Sequence, residues 1–261
     1  MKFSLQHSRP QTPMKTLPAS LVQAFAPTGA LRASINLGNP ILANKDAATG
    51  EPTGVSVDLA RAFAQRLGVP VELVVFEKAA ASVDAVRNEQ ADIGFFAIDP
   101  ARSEGLRFTA PYVLIEGSYL VPESSALTDN AQVDAAGHRI SVGSGSAYDL
   151  FLTREIEKAQ LVRVQGAQGV FDSLHAGQVE VAAGIRQVLE AEAARTPGLR
   201  LLPGRFMVIQ QAMGTPASRG AEAAAALAAF VEEMKAGGFV AEALARHRIQ
   251  GASVAPAGTQ P

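Results

Sequence analysis

The strongest constraint on the fold is an order of elements that occurs twice. A β-rich stretch, an amphipathic helix, a second β-rich stretch, a second helix and a nearly all-apolar stretch follow one another between Leu31 and Ile98, and again between Arg139 and Ala183. In the first round Leu31 to Ile35 reads as a strand. After a loop with Pro40, Gly50, Pro52 and Gly54, a helix runs from about Val57 to Leu67, with Leu59, Phe63 and Leu67 on one face and Gly68 ending it. VPVELVVF is the next strand, a helix carries Val83 and Val86, and ADIGFFAI closes the round as a strand apolar enough to be buried on both faces. In the second round the elements are Arg139 to Val142, Ala147 to Lys158, Gln160 to Val164, Gly169 to Ala176 closed by Gly177, and Val179 to Ala183. Units of this kind fold as parallel sheets with right-handed crossovers and leave a ligand crevice at the carboxyl ends of their strands.

Beyond the second round, Arg186 to Arg195 is helical, Leu199 to Leu202 and Met207 to Met213 are extended, and Ala221 to Lys235 is an alanine-rich amphipathic helix before Gly237-Gly238. The tail GASVAPAGTQP is expected to fray. At 261 residues, 48% of them hydrophobic, the chain can build two modest cores.

Charge and residue types remove several classes of function. The 23 basic and 25 acidic residues give a net charge of −2 and no basic cluster, which argues against nucleic acid as a partner. There is no cysteine, hence no thiolate chemistry, and the redox compartment is left open. His7, His138, His175 and His247 are too dispersed for a metal site, and no cofactor is implied. No GxSxG elbow or paired-carboxylate motif is present. GSGSAY lacks the third glycine of a dinucleotide fingerprint and is followed by no phosphate-loop lysine. No apolar run approaches the roughly 20 residues that span a bilayer. At the N-terminus, Met14 to Ala26 can be read as an interrupted export signal with Ala24-Phe25-Ala26 as its cleavage site, but Leu21 to Phe25 reads better as a short helix before the first strand.

LRASIN, GEPTGVSVDLARAFAQRLGVPVELV, ADIGFFAIDPAR and LRFTAPY resemble the first lobe of the family 3 bacterial extracellular solute-binding proteins. ISVGSGSAYDLFL and SLHAGQVEVAAG resemble their second lobe, and AALAAFVEEMKAGGFVAEAL their C-terminal helices. The resemblance runs from about Ala30 to Ile249. It implies the type II periplasmic-binding fold: α/β, two lobes each with a mainly parallel sheet flanked by helices, and two crossing strands as hinge. The expected division is an extension over 1–29, a first lobe over 30–116 plus 212–250, a second lobe with the hinge strands over 117–211, and a tail over 251–261. The crossings are expected near Gly117 to Val121 and Ile209 to Met213. The implied function is closure around a small solute without transforming it, as a monomer that serves an ABC-transporter permease. A sensor, or a dehydratase-like enzyme on the same fold with Glu116 or Glu51 as acid or base, is the alternative. The resemblance points to the periplasm, whereas the polar, proline-broken first residues favour the cytoplasm.

The resemblance also selects site residues. Arg102, ten residues before Tyr112, occupies the place of the arginine that grips a ligand carboxylate; its other reading is a solvated turn residue. Ala97 ends the strand before it, and Asp99 is expected to cap the intervening turn. Ser146 and Ala147 open a helix whose free amides suit an anion, although Ser146 can simply cap that helix. Asn36 and Asn39 can bond a ligand or hold a turn, and Tyr148 can close the site or pack. Glu116 and Gln211 fall at the crossings, where contact with ligand and support of the hinge are both open to them. Amino-acid binders of the family carry an aspartate for the ligand ammonium where this chain has Ile185, so a carboxylate ligand without a free α-ammonium is expected.

Overall fold

The computed structural model describes residues 17–258. In chain order its elements are α1 (Ala19–Phe25), β1 (Leu31–Asn36), β2 (Asn44–Lys45), β3 (Pro52–Thr53), α2 (Val55–Leu67), β4 (Val71–Phe76), α3 (Ala79–Arg87), β5 (Ile93–Ala97), β6 (Leu106–Phe108) and β7 (Val113–Pro122). There follow β8 (Arg139–Gly143), α4 (Ala147–Glu155), β9 (Gln160–Val164), α5 (Gly166–His175), β10 (Val181–Ile185), α6 (Arg186–Arg195), β11 (Leu199–Leu201), β12 (Met207–Pro216), α7 (Gly220–Ala236), α8 (Phe239–Arg246) and β13 (Ser253–Val254).

Eight strands run across the main sheet in the order β4-β1-β5-β12-β7-β10-β8-β9. At one end β1 lies between β4 and β5, parallel to both; at the other, β8 lies between β9 and β10, again parallel to both. Each round of the sequence therefore places its first strand between its second and third. The lobes meet at β7 and β12, an antiparallel pair with Gly117 opposite Met207 and Val113 opposite Gln211. Along β7 the first residues pair within the first lobe and Gly117 to Leu120 pair with β10 of the second.

Strand alternation assigns side chains to layers. Phe95 joins the main core of the first lobe while Phe96 turns to its opposite face. In β7, Tyr119 and Val121 enter one core of the second lobe and Leu120 the other. The first lobe's core is anchored by Phe25, Phe63 and Phe230, whose rings stack edgewise and tilted with centroids 4.9 and 4.8 Å apart.

Both lobes carry the same clasp. Arg32 at the start of β1 donates through its amide and guanidinium to Asp92, just before β5, and Ser34 Oγ bonds the Ser82 carbonyl in α3. Arg139 at the start of β8 does the same to Glu180, just before β10, and Ser141 Oγ bonds the Val170 carbonyl in α5.

Several boundaries differ from expectation. The helix expected to reach Lys158 stops at Glu155, because the Asp134 carboxylate collects the amides of Glu157, Lys158 and Ala159 and turns the chain. The strand expected over Val179 to Ala183 lies two residues later, since Glu180 is held by Arg139 ahead of it. Residues 19–25, expected within an extension, form α1, which buries Leu21 and Phe25 in the first lobe's core; the first sixteen residues lie outside those described. The tail expected to fray supplies β13, which pairs with β7 at Val113 and Leu114, where β10 has not yet begun, and the Ala255 amide continues to the Tyr112 carbonyl at 3.0 Å. Among the described residues no helix is long and apolar enough to cross a membrane.

Candidate functional site

Between the lobes, at the carboxyl ends of the parallel strands of both, lies a cavity of about 90 Å³. The first lobe contributes Gly38 and Pro40 after β1, and Glu77, Lys78 and Ala79 between β4 and α3. The second contributes Ser144, Ser146 and Tyr148 after β8, and Gln165 and Gly166 after β9. Ile185, Val188, Leu189, Val170 and Phe171 form an apolar wall. Four helices thus begin at the cavity: α3 after Lys78, α4 after Ser146, α5 after Gln165 and α6 after Ile185. Each presents the positive end of its backbone dipole and amides without intrahelical partners. The Glu77 carboxylate on the rim is paired with Lys45 at 3.0 Å.

The loop entering α4 is tightly wired. Ser146 Oγ accepts the Asp149 amide at 3.1 Å, which is the expected cap. The buried Asp149 carboxylate accepts the Gly145 amide at 2.8 Å and is paired with Arg163. The amides of Ala147 and Tyr148 have no hydrogen bond among the described residues. Tyr148 packs between the cores of the two lobes, and burial raises its hydroxyl pKa against the opposing effect of Ser146 and Gly143 nearby.

Two polar links cross the interlobe gap. Arg102, buried at 6% exposure, donates from Nη1 to the Ala97 carbonyl at 3.3 Å and from Nη2 to the Gly145 carbonyl at 2.9 Å. Burial lowers its pKa and the charge of Asp99 opposes that shift. Asp99 caps the following 3-10 turn through the Ala101 amide, as expected, and its carboxylate also receives both Nη atoms of Arg154 in α4, at 3.2 and 2.9 Å.

Residues 38–248 match the profile of the bacterial extracellular solute-binding proteins, family 3. The chain belongs to this family. Among solved structures it is similar to an L-cysteine solute receptor of Neisseria gonorrhoeae, with 25% identity, a TM-score of 0.72, and 88% of this chain and 95% of that one covered. It is also similar to an amino acid ABC transporter substrate-binding protein of Streptococcus pneumoniae bound to L-arginine (19%, 0.72, 86% and 96%). An ancestral amino acid-binding protein described as a precursor of cyclohexadienyl dehydratase shares the fold as well (19%, 0.73, 89% and 100%). A search of curated proteins finds no match.

Of the residues selected from the sequence of this solute-binding protein, Ser146 and Tyr148 line the cavity, and Ile185 lies on its apolar wall. Ala147 is the residue between the first two and is partly buried against the first lobe's core. Arg102 and Ala97 are held together beside the loop into α4 and are not part of the lining. Asn36 Oδ1 accepts the Gly38 amide at 2.9 Å and so shapes the turn. Asn39 is buried, and its carbonyl receives the amides of Leu42 and Ala43. Gln211 is buried in β12 opposite Ala97. Glu116 is a hinge residue: Arg186 Nε lies at 2.7 Å and Arg205 Nη1 at 2.6 Å from its carboxylate. These two partners, Arg205 first, lower its pKa, so it is unsuited to the role of a proton donor near neutrality.

Lys78, Gln165, Gly166 and the apolar wall apart from Ile185 were not singled out from the sequence. For Lys78, Gln165 and Gly166 the signal is position, each standing just past the end of a strand that feeds a helix in one of the repeated units, whereas Val170, Phe171, Val188 and Leu189 lie inside α5 and α6. The Asp99–Arg154 pair, 55 residues apart, carries no local signal. Among the described residues no cluster of His, Asp and Glu could hold a metal.

Proposed function

We propose that this protein closes around a small carboxylate-bearing solute lacking a free α-ammonium, acting as a monomer that delivers it to an ABC-type permease. The observation that carries the reading is the cavity itself, where four helix N-termini converge from both lobes and Ile185, which the resemblance sets in the place of the family's ammonium partner, lies on the wall. An ammonium buried against Ile185, Val188 and Leu189 would be uncompensated, at a cost of several kcal/mol. Relatives named for L-cysteine and L-arginine support the solute class as far as its carboxylate. Closure moves the lobes about β7 and β12, and Arg102–Gly145 and Asp99–Arg154 fasten them once shut.

Thermal unfolding against matched carboxylates with and without an α-amino group tests this, since a ligand that binds the native state raises its stability. The amine-free member of each pair is expected to raise the midpoint and the amino acid to leave it unmoved. Stabilisation by amino acids alone would reject the assignment.

A further inference from the structure

We infer that Gln187 and the C-terminal segment form a counterweight to closure: the shut form seals the Gln187 amide under Gly251 without a partner, and the protein without solute is thereby held back from closing. The inference rests on the reading above that the lobes open and close about β7 and β12.

The C-terminal segment is fixed to the first lobe. Ile249, Ala252 and Val254 pack against its core. Lys235 in α7, 4% exposed, donates from Nζ to the carbonyls of Pro111 and Pro256 at 3.1 and 2.9 Å, and Glu232 in the same helix accepts the Gly258 amide at 3.0 Å. β13 is thereby laid along β7. Val113 pairs with Gln211 of β12 on one edge and with Val254 of β13 on the other, whereas Gly117 pairs with Met207 of β12 and, on that other edge, with Ile185 of β10. The tail of the first lobe and a strand of the second thus share one edge of the crossing strand, with only Ile115 and Glu116 between them.

Helix α6 starts where β10 ends, and its Leu189 is anchored in a core of the second lobe. Gln187, in the first turn of α6, reaches the tail: a β-carbon placed on Gly251 would fall on Gln187 Nε2 and lie 2.9 Å from its Cδ. Gly251 has φ of +70°, which glycine adopts freely, and its missing side chain lets the backbone cover the amide. Nε2 and Oε1 of Gln187 are both buried, and neither has a hydrogen-bond partner among the described residues. An amide sealed in this way has lost water at both ends and gained no bond in return. Because Gly251 moves with the first lobe and Gln187 with the second, parting the lobes returns water to the amide, and that gain belongs to the open form alone. It opposes Arg102–Gly145 and Asp99–Arg154, which belong to the closed form, and leaves the solute to tip the balance.

The test is the separation of two spin labels across the cleft in the solute-free full chain, which has no cysteine of its own. Ala47→Cys between β2 and β3 of the first lobe and Gln168→Cys in α5 of the second carry them, both positions being exposed. The otherwise unaltered protein is expected to show a shorter, closed separation and a longer, open one. Gln187→Met, similar in length and without polar side-chain N or O atoms, should raise the ratio of closed to open by about fivefold or more, the range of an unpartnered buried amide. Gly251→Ala should lower that ratio severalfold, since its methyl meets the amide only when the lobes are shut, and adding Gln187→Ala, which clears the space, should restore it. A ratio left unchanged by either single variant, or a fall in Gly251→Ala that Gln187→Ala does not restore, would overturn the role of Gln187 while the hinge stands. One and the same separation in the parent and in every variant would reject the moving hinge itself.

Discussion

Glu116 shows how a residue's role follows from its neighbours. It sits on a crossing strand with a 31% exposed side chain, and two arginines from different segments, Arg186 at the start of α6 and Arg205 before β12, converge on its carboxylate. Its pKa is thereby lowered from the ordinary value of about 4.5. A group depressed in the folded state contributes stability that is present above its unfolded pKa and is lost as pH falls through its folded one. The clamp should therefore hold at neutral pH and weaken below about pH 4.5, and Glu116→Gln should flatten that limb of the pH dependence of unfolding. An identical acid limb in the variant would show that the hinge does not depend on this carboxylate. Glu116 lies in β7, the strand that pairs with both β12 and β10, but the sequence offers no way to learn that both arginines fold back onto it. Asn36 is the reverse case: its turn role, a bond to the amide two residues on, is a local preference that sequence can express.

At the scale of elements, the paired clasps give the same geometry at two levels of burial. Asp92 is fully buried and bonds Arg32 and Arg219, whereas Glu180 and its partner Arg139 are 38% and 41% exposed. Removing one member of a buried pair strands the other, so Asp92→Asn should cost about 3 to 5 kcal/mol in chemical denaturation. Glu180→Gln, open to solvent, should cost about 1 kcal/mol or less. Comparable losses would mean that the two clasps are energetically alike despite their exposure. The elements themselves were largely legible, because apolar periodicity and terminal glycines are local; α2 ends at Gly68 in the left-handed conformation and α6 has its expected limits. The misplaced ends are those set from a distance, as at Glu155, where Asp134 on another segment halts the helix, and at Val181, where Arg139 holds Glu180 out of the strand. The same distinction applies to the cavity. Its lining at Ser146 could be read from a strand-to-helix junction, while Lys78 joins the same lining only once α3 and the loop into α4 are brought together.

In the whole molecule, the lobes are joined by links independent of any solute, and Asp99–Arg154 is the more exposed of the two, with Arg154 at 41% and Asp99 at 5%. Arg154→Ala should shift the balance between open and closed forms toward open by about 1 kcal/mol. X-ray scattering without solute would then record a larger radius of gyration, and solute affinity would fall severalfold with the cavity lining intact. An unchanged scattering profile would mean that Arg102–Gly145 and apolar packing hold the lobes by themselves. The path of the chain through those lobes also bears on the order in which the protein can assemble. The second lobe draws nearly all its strands and helices from one continuous stretch between β7 and β12, but the sheet of the first is bordered at β5 by a strand that arrives more than a hundred residues later, and its core waits for Phe230 of α7. A ribosome-bound chain therefore emerges with the edge of β5 bare and Phe63 without one of its ring partners. The later-made half can mature as a unit while the first-made half stays unfinished until the C-terminal helices are released.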